Sequence, residues 1–322
     1  TPCWPATVAA GDDPEADDMR IELTDTTASA AAGELLQARR RAGSPATGMV
    51  LTLVVVAEEQ DADAALAAAG EASMEHPARI LGVILGTRRP RSRVDAEIRV
   101  GAGTPTGETV LLRLHGEVTE HSESVVLPLL LPDSPVVVWW PTGAPDDPAA
   151  DPLGVLAQRR ITDAAAAPRH KRGALSTQCR HYAAGNTDLA WTRITGWRAL
   201  LAAALDQYPV KVTAATVRAQ RVSPSADLLS AWLSARLKVE VRRSTSGGPG
   251  ITQVRLETAE GAIRIERPDG RLALFSVPGQ PDRPVALKRR STAELLAEEL
   301  RRLDPDDVYG QTVAALIKSE DS

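Results

Sequence analysis

The stretch Met49-Val-Leu-Thr-Leu-Val-Val-Val56 decides the fold when it is read with the Ala-rich segment Ala62–Ala72 and the run His76-Pro-Ala-Arg-Ile-Leu-Gly-Val-Ile-Leu85. A continuous apolar, β-branched run without polar alternation is the pattern of a strand buried on both faces, so Met49–Val56 is expected to be central in a sheet. Ala62–Ala72 has the composition of a helix, and His76–Leu85 reads as a second buried strand. Strand, helix and strand in so short a span form a crossover unit, which points to a parallel α/β sheet.

Working toward the N-terminus, Thr24-Asp-Thr-Thr offers capping side chains for a helix through Leu35 and Leu36 to Arg39–Arg41, with Gly43 as its stop. Met19-Arg-Ile-Glu-Leu reads as the start of the folded part. Residues 1–18 hold Pro2, Pro5, Gly11, Pro14 and five acids between Asp12 and Asp18, so they are expected to be a disordered extension, an over-long start or an added tail.

Toward the C-terminus, Arg93–Val100 and Glu108–Val118 alternate with period two and are joined by the Gly-rich turn Gly101–Gly107, the pattern of an antiparallel hairpin. Ser122–Leu131 reads as a short helix, Ser134–Trp140 as a strand broken by Pro141, Pro141–Asp151 as a loop and Leu153–Gln158 as a brief helix. Pro168–Gly185, with Arg169, His170, Lys171, Arg172, Arg180 and His181, is expected to be a basic loop at the domain boundary. Beyond it come a helix (Gly196–Gln207), a strand (Val210–Ala219), a helix (Ser225–Ala235), strands at 237–243, 251–257, 262–267 and 271–277, and helices at Thr292–Leu303 and Asp306–Ile317. The expected organisation is an extension (1–18), an N-terminal, mostly parallel α/β domain (19–167), a basic loop or linker (168–186) and a C-terminal α+β domain with antiparallel strands (187–322).

Composition excludes several classes. The 37 basic and 42 acidic side chains give a net charge of −5, and 43% hydrophobic with 25% charged residues is ordinary for a folded globular protein. An acidic balance supplies no general attraction to phosphate backbones or anionic lipid, so neither nucleic acid nor membrane is an expected partner. The start lacks a secretory h-region, and the longest apolar run, Val125–Leu131, is far short of the ~20 residues of a membrane span. Two cysteines, Cys3 and Cys179, make neither a disulfide framework nor a thiolate zinc site, which fits a reducing, cytoplasmic compartment.

Catalytic signatures are missing. Gly101-x-Gly-x-x-x-Gly leads into a strand, whereas a nucleotide fingerprint must open a helix. There is no Walker A sequence, His-Glu-x-x-His, Gly-x-Ser-x-Gly or EF-hand loop. His115 and His121 share a strand face only if the strand continues past Val118, so they are expected to be a solvated strand end, with no metal and no cofactor.

Two segments stand out: Val136–Asp163, which contains Trp139, Trp140, Arg159, Arg160 and Asp163, and Gly185–Arg198, which contains Asp188, Trp191, Arg193, Trp197 and Arg198. Four of the six tryptophans fall in them. Trp and Arg concentrate at binding hot spots because both gain much on desolvation. The residues alone fit equally a core of Trp with Arg–Asp pairs across the domain boundary.

At these segments the chain resembles the OpcA family of glucose-6-phosphate dehydrogenase assembly proteins. The matching residues are Val136–Pro141, Asp151–Asp163 and Thr187–Arg198, with Arg20-Ile-Glu-Leu-Thr-Asp-Thr-Thr at the opening, and the resemblance spans Met19 to Ile317. It implies a non-enzymatic accessory protein that binds glucose-6-phosphate dehydrogenase, promotes its oligomeric assembly and activates it, supporting NADPH formation by the pentose phosphate pathway. The ten Trp, Arg and Asp residues would then form the partner-binding surface or its support. Two other readings stand beside it: a sugar-phosphate or nucleotide sensor, or unrecognised enzyme, gripping phosphate with Arg159, Arg160, Arg193 and Arg198, and an RNA contact at the 169–181 segment, for which its single edge aromatic, Tyr182, is too little.

Overall fold

In the computed structural model, which describes residues 19–42, 48–86, 91–101 and 108–321, the run read as central is strand β2. Its predecessors are strand β1 (Met19–Leu23) and helix α1 (Ala28–Arg41), capped by the Thr27 side chain. Strand β2 (Leu51–Glu58), helix α2 (Glu59–Ser73) and strand β3 (Ala78–Leu85) make the expected parallel crossover. Every residue of β2 but Glu58 is buried. Its one polar interior residue, Thr52, lends Oγ1 to the Leu131 N–H at 3.1 Å, which is what makes a hydroxyl tolerable there.

Strands β4 (Arg93–Val100) and β5 (Glu108–His115) pair antiparallel from Arg93↔His115 to Val100↔Glu108. Residues 102–107 of the expected turn, Gly43 and the extension 1–18 lie outside the described residues. Helix α3 (Ser122–Val126) leads to strand β6 (Val136–Trp139), helix α4 (Pro152–Val155) and strand β7 (Arg159–Thr162).

Here the structure corrects an expectation. The segment read as a basic loop contains helix α5 (Lys171–Arg180) and ends in strand β8 (Asn186–Asp188). Leu175 and Cys179, one turn apart, are buried in the core shared with the second half, while the cations point outward. The first sheet is therefore eight-stranded, in the order β1, β4, β5, β3, β2, β6, β7, β8, and parallel from β5 to β8.

Helix α6 (Leu189–Thr192) starts where β8 stops and is followed by helix α7 (Thr195–Gln207), strand β9 (Val212–Ala219), helix α8 (Pro224–Leu237) and strand β10 (Val241–Thr245). β10 is expected at 237–243 but begins later, because α8 runs on to Leu237 and Lys238 stops it with φ 57°. Strands β11 (Ile251–Thr258), β12 (Gly261–Glu266), β13 (Leu272–Ser276) and β14 (Arg283–Ala286) complete a second sheet in the order β10, β9, β11, β12, β13, β14. It is antiparallel except for the β9–β10 pair, which α8 connects.

The inner face of this sheet, with Val217, Val254, Leu256, Ile263 and Ile265, shares a core with α5, α7, α8 and helix α10 (Asp307–Glu320). Helix α9 (Thr292–Leu300), started by a Ser291–Glu294 capping box, turns back to the first sheet. Its Leu295, Leu296 and Leu300 pack with Ala65, Ala69 and Ala72 of α2. The expected division at 168–186 is thus crossed twice, by β8 and by α9. Among the described residues no helix is long and apolar enough to cross a membrane.

Candidate functional site

The Trp- and Arg-rich segments meet along β7 and β8, with Arg159 and Arg160 at the start of β7 and Asp163 and Asp188 at the carboxyl ends, where the two halves join. Arg159, 4% exposed, donates from Nη1 to the Asp304 carbonyl at 2.9 Å and from Nη2 to Glu299. Glu299, on α9, accepts a second bond from Thr192 Oγ1 at 2.6 Å. Asp163 receives Arg193 in a two-bond fork, Nη1 to Oδ1 at 2.7 Å and Nη2 to Oδ2 at 2.6 Å. Burial alone would lower the Arg193 pKa, but the hydrogen bonds and charge of Asp163, with Asp188 behind it, raise it instead.

Asp188 is fully buried and accepts three bonds, from Thr162 Oγ1 (2.7 Å), Ala164 N (2.9 Å) and Ala190 N (2.8 Å). Burial and the neighbouring charge of Asp163 push its pKa up, against those hydrogen bonds. Arg160 donates to Asn186 Oδ1 at 2.5 Å and to the Gly154 and Ala157 carbonyls, and its pKa is lowered by burial. Arg198 lies on the Trp191 ring, 3.6 Å from its centroid, and burial lowers its pKa too. Trp191 Nε1 donates to Asp306 Oδ2 at 2.8 Å, and Asp306 also caps α10.

The other tryptophans are spread out. Trp139 and Trp140 sit on opposite faces of the first sheet, and Trp197 lies in the core of the second half. All four tryptophans of the two segments are at most 3% exposed. The four arginines expected to grip phosphate are engaged with neighbouring groups, and Arg193 also reaches a cavity wall. Glu299, Thr192 and Asp306 complete the seam and escape sequence reasoning, since no local pattern links Arg159 to a glutamate 140 positions away.

The chain order also defines a switch point. From β2 it runs outward to β3, then returns to place β6 on the other side of β2. Doubly wound sheets hold dinucleotides at the carboxyl ends of such strands, on a Gly-rich turn and a helix N-terminus. Here that junction reads Ala57-Glu58-Glu59-Gln60-Asp61, with Glu59 and Asp61 in the first turn of α2. The adjoining cavity, about 280 Å³, has Glu58, Glu120 and Asp151 in its lining beside Trp140. Carboxylates on a helix N-terminus satisfy the dipole and repel a pyrophosphate.

Cys179, expected in a loop, is on α5, where burial and then the charge of Asp188 push its thiol pKa up, so the thiol stays protonated. His115 ends β5 with Nε2 3.7 Å from Asp95. Among the described residues no group of three or more His, Cys, Asp or Glu is placed to hold a metal.

Two family models match the chain. One, described as the N-terminal domain of the glucose-6-phosphate dehydrogenase subunit, of the OpcA assembly type, matches residues 69–179. Its companion, the C-terminal domain of the same OpcA glucose-6-phosphate dehydrogenase subunit, matches residues 184–313. No curated protein matches the chain. Among solved structures, KijD10, a 3-ketoreductase from Actinomadura kijaniata in complex with NADP and TDP-benzene, is similar at 8% identity and TM-score 0.48, over 84% of this chain and 96% of that one. An oxidoreductase from Sinorhizobium meliloti is similar at 11% identity and TM-score 0.42, over 84% and 87%.

Proposed function

Because this chain belongs to the OpcA family of glucose-6-phosphate dehydrogenase subunits, we propose that it is a non-enzymatic accessory protein that binds that enzyme, promotes its oligomeric assembly and activates it. The observation that carries the non-enzymatic part is the β2–α2 junction, whose Glu58, Glu59 and Asp61 stand where a dinucleotide would need glycine and bare N–H groups. The Trp and Arg residues act as support in this reading. They fix the orientation of one half on the other, so that the exposed surface meets the enzyme in one arrangement.

The physical basis is linkage. An accessory protein that binds the active assembly more tightly than the inactive one shifts the population by the difference in affinity, and a tenfold preference is worth about 1.4 kcal/mol. The test is the activity and oligomeric mass of the cognate glucose-6-phosphate dehydrogenase with and without this chain at matched concentration. A rise in activity with a co-eluting complex is expected; no change in either quantity would sink the proposal.

A further inference from the structure

A cavity of about 270 Å³ opens between the N-terminal end of α8, the second sheet and the segment leading into α9. Its lining includes Lys171, Arg193, Arg267, Lys288, Arg289 and Arg290 and, among the described residues, not one carboxylate. Three of these cations are neutralised from behind: Arg193 by Asp163, Lys288 by Glu294 at 2.6 Å, and Arg290 by Glu298. The other three, Lys171, Arg267 and Arg289, have no ion-pair partner among the described residues.

Arg267 is the informative one. It is 6% exposed, and its Nη1 and Nη2 donate to the Leu287 and Ile251 carbonyls at 2.9 and 3.2 Å, while Nε has no partner. The guanidinium carbon lies 5.1 Å from the Trp197 ring centroid. Carbonyls accept its hydrogens without cancelling its charge, and a buried charge without a counter-ion is strongly unfavourable. Burial and repulsion from Arg289 outweigh the attraction of Asp269, which forms no ion pair with it, and bring its pKa down to about 10, so it remains a cation at neutral pH. A core brace alone would not put a second unpaired arginine beside it and a lysine opposite.

We infer that this cavity binds a small phosphate monoester, its dianion held by Arg267 and Arg289 with Lys171 at the rim. Ser223, Ser225 and Gln220 line the remaining wall and offer polar partners to hydroxyl groups of the esterified body. The fourteen-residue helix α8 begins at this wall, but Asp227 stands in its first turn, so the side-chain cations and not the helix dipole carry the attraction for an anion. Pockets for drug-sized ligands hold roughly 300–1,000 Å³, so the cavity suits a phosphorylated sugar and is small for a dinucleotide.

The test is calorimetric titration of the isolated full chain with glucose 6-phosphate, inorganic phosphate and glucose. Saturable binding of glucose 6-phosphate, weaker binding of inorganic phosphate and none of glucose is expected. Arg267→Gln risks misfolding, so the exposed pair Lys171→Ala with Arg289→Ala carries the test and should weaken the ester at least tenfold. No saturable binding of either phosphate, or affinity unchanged in the double variant, would overturn the inference. Equal affinity for ester and inorganic phosphate would overturn the assignment of an ester. The enzyme-assembly reading is measured with the dehydrogenase present, so either can fail without the other.

Discussion

Two cavities of nearly equal size, about 270 and about 280 Å³, carry opposite charge. The one at the ends of β2 and β6 occupies the place where doubly wound sheets bind ligands, yet Glu58, Glu120 and Asp151 line it and, among the described residues, no cation does. The other, beneath the second sheet, has six cations and no acid among the described residues. The crevice at the sheet's switch point is thus lined by acids, and the cationic lining lies in a place without that topological precedent. Position in a fold suggests where to look; the charge of the lining says what can bind.

The comparison breaks first at the seam that holds both regions in place. Arg159→Ala leaves Glu299 buried without its cation and should cost about 3–5 kcal/mol of stability, read as a shifted urea midpoint with unchanged slope. Arg193→Lys keeps the charge on the basic cavity's wall but loses the fork onto Asp163. It should cost about 1–2 kcal/mol and lower the melting temperature.

A pH titration sharpens the comparison at Asp188, which lies in the seam. Its folded pKa is raised, so the native state holds this proton more tightly than the unfolded chain. The stabilisation is present at low pH and is lost as pH rises from about 3.9, the ordinary Asp value, through the raised folded value. Asp188→Asn should flatten that slope, seen as unfolding midpoints that no longer fall through this window. The smallest effect is expected in the acidic crevice. Glu58 is exposed and, among the described residues, its side chain bonds only Gln60 at 2.7 Å, so Glu58→Gln should change stability by no more than about 0.5 kcal/mol and leave an NADP titration flat.

Much of the fold is legible in the sequence wherever local pattern and burial agree. β2 and β3 are apolar apart from Thr52, Glu58 and Arg79 because parallel strands are covered on both faces, and β4 and β5 alternate because they pair toward an edge. α5 escapes such a reading because its basic residues dominate the segment while only Leu175 and Cys179 bury. β14 escapes it because Arg283-Pro-Val-Ala is short and carries a proline, which only an edge strand tolerates. Of the site, the sequence marks the Trp and Arg residues but not whether they face a partner or each other. Arg159 meets Glu299, and Trp191 meets Asp306, across more than a hundred positions.

Helix α9 has one further consequence. Strands β2 and β3 are made early, but Ala65, Ala69 and Ala72 of α2 meet Leu295, Leu296 and Leu300 only once α9 has been made. Until almost the whole chain has been synthesised that contact is missing, and apolar surface left uncovered during synthesis is prone to aggregation. A truncation before Ser291 would therefore harm the first sheet, although the cut lies far from it in sequence.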